Sequence, residues 1–174
     1  MADLDPNIEK VHNMQNKLEQ IKQQAYLQHT QSIQQGRQMQ QQAEQVQKQC
    51  QLENLPKIQQ MQQTFQLQHA ANQMLVQAEI MKQQAKIQHD KLTQQAQQIQ
   101  QEAQQTQQEA GTHLARSLEL AELAPLVQLI QHQTDQINQQ AQMQQSTLLQ
   151  QSQQMKQLAE QMEKQAKNLL QKYI

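Results

Sequence analysis

The sequence predicts an all-α fold, an elongated antiparallel three-helix coiled-coil bundle running up, down and up, and three observations carry that expectation. Residues of high helix propensity (Gln, Ala, Leu, Met, Lys and Glu) dominate the chain. Apolar residues return every seven positions through otherwise polar text. The strongest punctuation falls at Pro56 and Gly111 and divides the chain into three arms of similar length.

Glutamine supplies 54 of the 174 residues, a composition that also occurs in disordered and cross-β chains. Here the longest glutamine run is only Gln40 to Gln42, and Val, Ile and Thr together number 21, too few for a sheet. Disorder needs no period of seven, so the spacing decides for helix.

The first arm is expected over 6–54. Asp5 followed by Pro6 reads as an N-cap with proline at the first helical position, and Glu9 complements the helix dipole. Val11, Leu18, Ala25, Ser32, Met39 and Val46 form the heptad series, with Met14 and Ile21 three positions after its first two members. Continuing that second series puts Gln28, Gln35, Gln42 and Gln49 on the seam, where amides from neighbouring helices would have to satisfy one another. Gly36 reads as a close helix approach or a bend. Pro56 ends the arm, because it lacks an amide donor and biases Leu55 away from helical geometry.

The second arm is expected over 57–110. Its series is Ala71, Ala78, Ala85, Leu92, Ile99 and Thr106, flanked four positions further on by Leu75, Ala96, Ala103 and Ala110. Gly111 suits a left-handed C-terminal cap, and Thr112 an N-cap for the third arm. That arm, 112–173, carries Ala141, Leu148, Met155, Met162 and Leu169, accompanied by Ile130, Ile137 and Leu158. Pro125 is expected to kink this helix or to split it, and Lys164, Lys167 and Lys172 lie near its end, where cations are favoured.

Each arm would be a rod of roughly 70 to 90 Å at about 1.5 Å per residue, and the short connections favour antiparallel neighbours in a single domain spanning 1–174. The residues expected at the core or interface are Val11, Leu18, Ile21, Leu92, Ile99, Leu118, Leu123, Leu148, Met155, Met162 and Leu169. In the register that aligns the arm ends, Leu4, Ile8 and Val11 meet Ile99, Leu118, Leu123 and Leu126. At the other end Leu52, Leu55, Ile58 and Phe65 meet Leu158, Met162, Leu169 and Tyr173. IKQQAYLQH at 21–29 is nearly repeated as MKQQAKIQH at 81–89.

Function classes narrow quickly. A net charge of −1 from 14 basic and 15 acidic residues creates no field for nucleic acid. The single Cys50 excludes an intrachain disulfide and a cysteine zinc motif. The most apolar stretch, LELAELAPLVQLI at 118–130, contains two glutamates and falls short of the ~20 residues that span a bilayer, so it reads as a docking surface. MADLDPNIEK lacks the basic and apolar runs of a secretory signal, and a cytoplasmic or intracellular setting is expected.

The sharpest chemical possibility is a metal site from His89, His132 and Asp135, since the assumed register would put the two histidines in one layer. Paired Glu-x-x-His motifs are absent, and solvated or amide-bonded histidines are the simpler account. The only cysteine has no histidine near it in sequence, and no pattern implies a cofactor or a small-molecule substrate. The expectation is a non-enzymatic structural protein, a scaffold or self-associating building block whose partner is itself or another helical protein. An amphipathic lipid or surface coat is the main alternative, although narrow seams bordered by glutamine lack the broad apolar face and lysine border of membrane helices. A transglutaminase-crosslinked coat is a further alternative.

Overall fold

The computed structural model describes residues 6–50, 56–111 and 117–172, with side chains of the third stretch from Glu119 onward. They form α1 (Pro6–Gln49), α2 (Lys57–Gly111) and α3 (Ser117–Gln171), whose contacts are those of a three-helix bundle. No strand occurs among the described residues. The expectations placed on Leu4, Asp5, Leu52, Leu55, Thr112, Tyr173 and the side chain of Leu118 fall outside them.

Pro6 opens α1, where its missing amide hydrogen costs nothing, with Glu9 in the first turn and Lys48 in the last. One boundary expectation changes, and of the two outcomes open at Pro125 one is removed. Gly111 is the last helical residue of α2 and its backbone is not left-handed, because helical hydrogen bonding runs through it. Pro125 does not split α3, which runs unbroken from Ser117. The proline takes one hydrogen bond from the Ala121 carbonyl, and since both residues are exposed, water can replace it.

The chain packs as two units, each drawing on all three helices: residues 1–28 with 87–145, and 29–86 with 146–174. In the first, Val11, Leu18, Leu92, Ile99, Leu123 and Ile137 share one buried cluster, and Ile21 packs against it half-buried. The apolar 118–130 stretch supplies Leu123, Val127 and Ile130 to this core. In the second, Leu67, Met81, Leu148, Met155 and Met162 are buried together with a ladder of alanines, and Leu169 packs at the edge.

Contacts inside each unit show how the helices pair. In the first, Gln140 of α3 donates to the Lys22 carbonyl of α1 at 3.3 Å and Asn7 donates to Glu119 at 2.9 Å, so these two helices run parallel. In the second, the Cys50 thiol donates to the Gln63 carbonyl of α2 at 3.4 Å and Ser152 of α3 donates to the Ala78 carbonyl at 2.6 Å.

The heptads change phase along every helix. In α1 the series Val11, Leu18, Ala25, Ser32 persists, but its companion moves from three positions on (Met14, Ile21) to four (His29, Gly36, Ala43, Cys50). In α2 the companion passes from Leu67, Met74 and Met81 to Ala96, Ala103 and Ala110, and in α3 from Ile130 and Ile137 to Ser152, Ala159 and Ala166. Each switch falls where one packing unit gives way to the other. The cause is arithmetic: seven residues fall about 20° short of two whole turns of an ideal helix, so a strict heptad column rotates off the seam until the adjacent column replaces it.

This phase change overturns the seam glutamines. Gln28, Gln35, Gln42 and Gln49 are all exposed, because the companion column has moved one residue on to His29, Gly36, Ala43 and Cys50. Ile58 and Phe65 also lie outside, 73% and 59% exposed, instead of opposite Met162 and Leu169, because they sit on the side of α2 away from the seam columns. The three buried threonines on the seam are satisfied within their own helices. Thr64, Thr106 and Thr134 each donate to the carbonyl four residues back in their own helix at 2.9 Å.

Candidate functional site

The histidines and the cysteine are the side chains best suited to chemistry, and most are accounted for by their neighbours. His12 Nδ1 donates to Gln15 at 3.3 Å, and Gln73 and Gln136 donate to His69 and His132 at 3.2 Å, each pair within its own helix. His89 Nδ1 donates to Asp90 at 3.2 Å. The layer of His89, His132 and Asp135 does not form. Gln88 shares a cleft with Gln144, which places residues near 143 level with His89 and leaves His132 roughly 16 Å further along α3. The register aligned on arm ends was wrong because the described helices do not begin and end where the arms were drawn. Among the described residues no group of three His, Cys, Asp or Glu gathers to hold a metal.

Cys50 is buried, and desolvation raises its thiol pKa, which keeps the sulfur protonated and weakly reactive. His29, on the companion column of α1, is half-buried with an unpartnered Nδ1, and desolvation lowers its pKa.

Glutamine enters the interior in a way that heptads do not reveal. Gln151 of α3 lies across the backbone of α1 at Gly36 and donates to the Ile33 carbonyl at 3.1 Å. A Cβ on Gly36 would stand 2.5 Å from Gln151 Nε2 and 2.6 Å from Met81 Cε, so only glycine admits this approach. Gln151 therefore pairs with the backbone of the neighbouring helix, as Gln140 does at Lys22, and not with another glutamine.

The larger spaces are open surface grooves, one of about 520 Å³ beside Lys10, Asn13, Lys17 and Glu102. The cleft of the first unit lined by Ile21, Gln24, Gln88, Leu92 and Gln144 holds about 50 Å³, against the roughly 300 to 1,000 Å³ of ligand sites. The groove beside Tyr26 and Leu27 is larger, about 350 Å³, but open to solvent. Among the described residues no helix is long and apolar enough to cross a membrane.

What stands out is the outer face of α2. Ile58, Met61, Phe65, Val76, Ile80 and Ile87 are between 40% and 73% exposed, and 100° per residue puts them within an arc of roughly 100° on the side away from the core. This second face makes α2 the least amphipathic of the three helices. A heptad reading misses it, since those residues sit off the seam columns; the signal available is angular clustering of the apolar residues left over. No protein-family model, characterised protein or solved structure matches the chain.

Proposed function

We propose that the protein is a non-enzymatic helical scaffold, a glutamine-rich coiled-coil bundle that associates with copies of itself. The observation that supports this reading is the outward apolar stripe of α2. The seams are already occupied by the chain's own helices, so six large apolar side chains on one outer face need another reason, and contiguous exposed apolar surface marks interaction sites. The uncharged glutamine face elsewhere keeps the helices soluble without repelling a neighbouring copy. Light scattering coupled to sizing tests the proposal: the mass should rise with concentration from that of the 20.3 kDa chain. A constant single-chain mass up to millimolar concentration removes it.

An amphipathic surface coat would use the same stripe. Gln62, His69, Asn72, Gln73 and Gln83 interrupt its apolar run, which favours a partner that can return hydrogen bonds over an acyl layer that cannot.

A further inference from the structure

Resting on that scaffold reading, we infer that the second copy docks on the outer face of α2 through an antiparallel, two-fold symmetric pairing of α2 with α2, centred between Asn72 and Gln73. The stripe has a composition that reads alike in both directions from this midpoint. Going outward on one side are Asn72, His69, Phe65, Gln62 and Ile58, and on the other Gln73, Val76, Ile80, Gln83 and Ile87. All ten are exposed and lie on the face away from the core.

Antiparallel pairing about the midpoint sets Ile58 against Ile87 of a second copy, Gln62 against Gln83, Phe65 against Ile80, His69 against Val76, and Asn72 against Gln73. Four of these five layers join like with like: two are apolar and two are amide. Paired amides satisfy one another's donors and acceptors. A shift by one heptad sets Phe65 against Gln73 and Gln62 against Val76 in one direction, and Asn72 against Ile80 in the other, so each slip lays an amide against an apolar side chain. A symmetric dimer needs a patch complementary to itself, and this stripe meets that condition.

The area is adequate. Six side chains at 40% to 73% exposure offer roughly 600 Å² per copy, so two copies bury about the 1,000 Å² or more of a specific interface. Phe65 and Ile80 stand closest to the middle and carry the pairing.

The test uses the full chain with Cys50→Ser, so that an introduced thiol is the only one. Oxidised Asn72→Cys should give a disulfide-linked dimer, because residue 72 lies next to the two-fold axis and so close to its own counterpart, diagonally across the pair. Ile58→Cys alone should not, whereas an equal mixture of Ile58→Cys and Ile87→Cys should. Phe65→Glu should raise the dimer dissociation constant at least tenfold, with circular dichroism and melting unchanged because the position is exposed. A wild-type chain that stays monomeric at every concentration overturns both the scaffold reading and this surface. Self-association that survives Phe65→Glu with no Asn72→Cys crosslink leaves the scaffold standing and overturns the surface. A monomer that floats with phosphatidylcholine–phosphatidylserine vesicles in a Phe65-dependent way overturns the second copy as occupant.

Discussion

Adding one methyl group at Gly36 is the most informative perturbation of this bundle, because two effects of known size oppose each other there. Glycine inside a helix costs about 1 kcal/mol relative to alanine, so Gly36→Ala in an unencumbered helix would stabilise by that amount. Here the new Cβ falls 2.5 Å from Gln151 Nε2 and 2.8 Å from its Cδ. The amide must swing away and surrender its bond to the Ile33 carbonyl, and its Oε1 already has no partner. Stranding a buried amide costs roughly 1 to 3 kcal/mol, so the substitution should destabilise by about 1 kcal/mol net. Removing the obstruction with Gln151→Ala should restore the ordinary preference, since the remaining neighbour, the Met81 methyl, is the end of a flexible side chain. In that background Gly36→Ala should stabilise by up to about 1 kcal/mol. The double-mutant cycle, measured by urea denaturation under circular dichroism, should return a coupling of about 2 kcal/mol. Equal stabilisation by alanine in both backgrounds would refute the close approach.

Three further outcomes are expected from the packing. Burial lowers the His29 pKa, so the unfolded chain binds the proton more readily and stability, full above the unfolded value of 6.5, should fall as pH drops below it. His29→Leu should flatten the melting temperature between about pH 7.5 and pH 5, and an unchanged slope would remove His29 as the cause. Leu92→Asp and Leu148→Asp bury an unpaired charge and should each cost several kcal/mol, whereas Ile21→Asp, half-buried at the rim of a cleft, should cost clearly less; equal losses in chemical denaturation would contradict the burial pattern. Replacing Gln28, Gln35, Gln42 and Gln49 together by Glu should shift stability by less than about 1 kcal/mol, since exposed substitutions are usually near neutral, and unfolding would return these glutamines to the seam.

Three helices and most of their inner residues are legible because a period of seven is a strong signal even in polar text. Val11, Leu18, Leu92, Ile99, Leu148, Met155 and Met162 are buried as that period requires. The rest is hidden for one reason: a heptad extended by rote assumes a column that never drifts. Leu67, Met74 and Met81 escape notice when the later companion column of α2 is applied along its whole length. The glutamines of α1 fall inside only when its earlier column is carried too far. The outer stripe of α2 is invisible to a seam search, which looks at one face. Gln151 illustrates a different limit, as nothing in its own neighbourhood distinguishes it from other glutamines until Gly36 is brought beside it.

That pairing also bears on how so repetitive a chain keeps a single register. Alanine ladders tolerate slippage: moving α3 by one heptad would set Ser152 against Ala71 or Ala85, residues of the same series as its partner Ala78, with the same carbonyl on offer. The Gln151 contact has no such substitute. On α1 the equivalent positions one heptad away are His29 and Ala43, and both carry the Cβ that would displace the amide. A shift in either direction therefore strands a buried donor, which at roughly 1 to 3 kcal/mol is a large fraction of the stability of a small domain. One glycine in the companion column of α1 thus selects the register of α3 within its unit, and the destabilisation expected of Gly36→Ala is the measure of that selection.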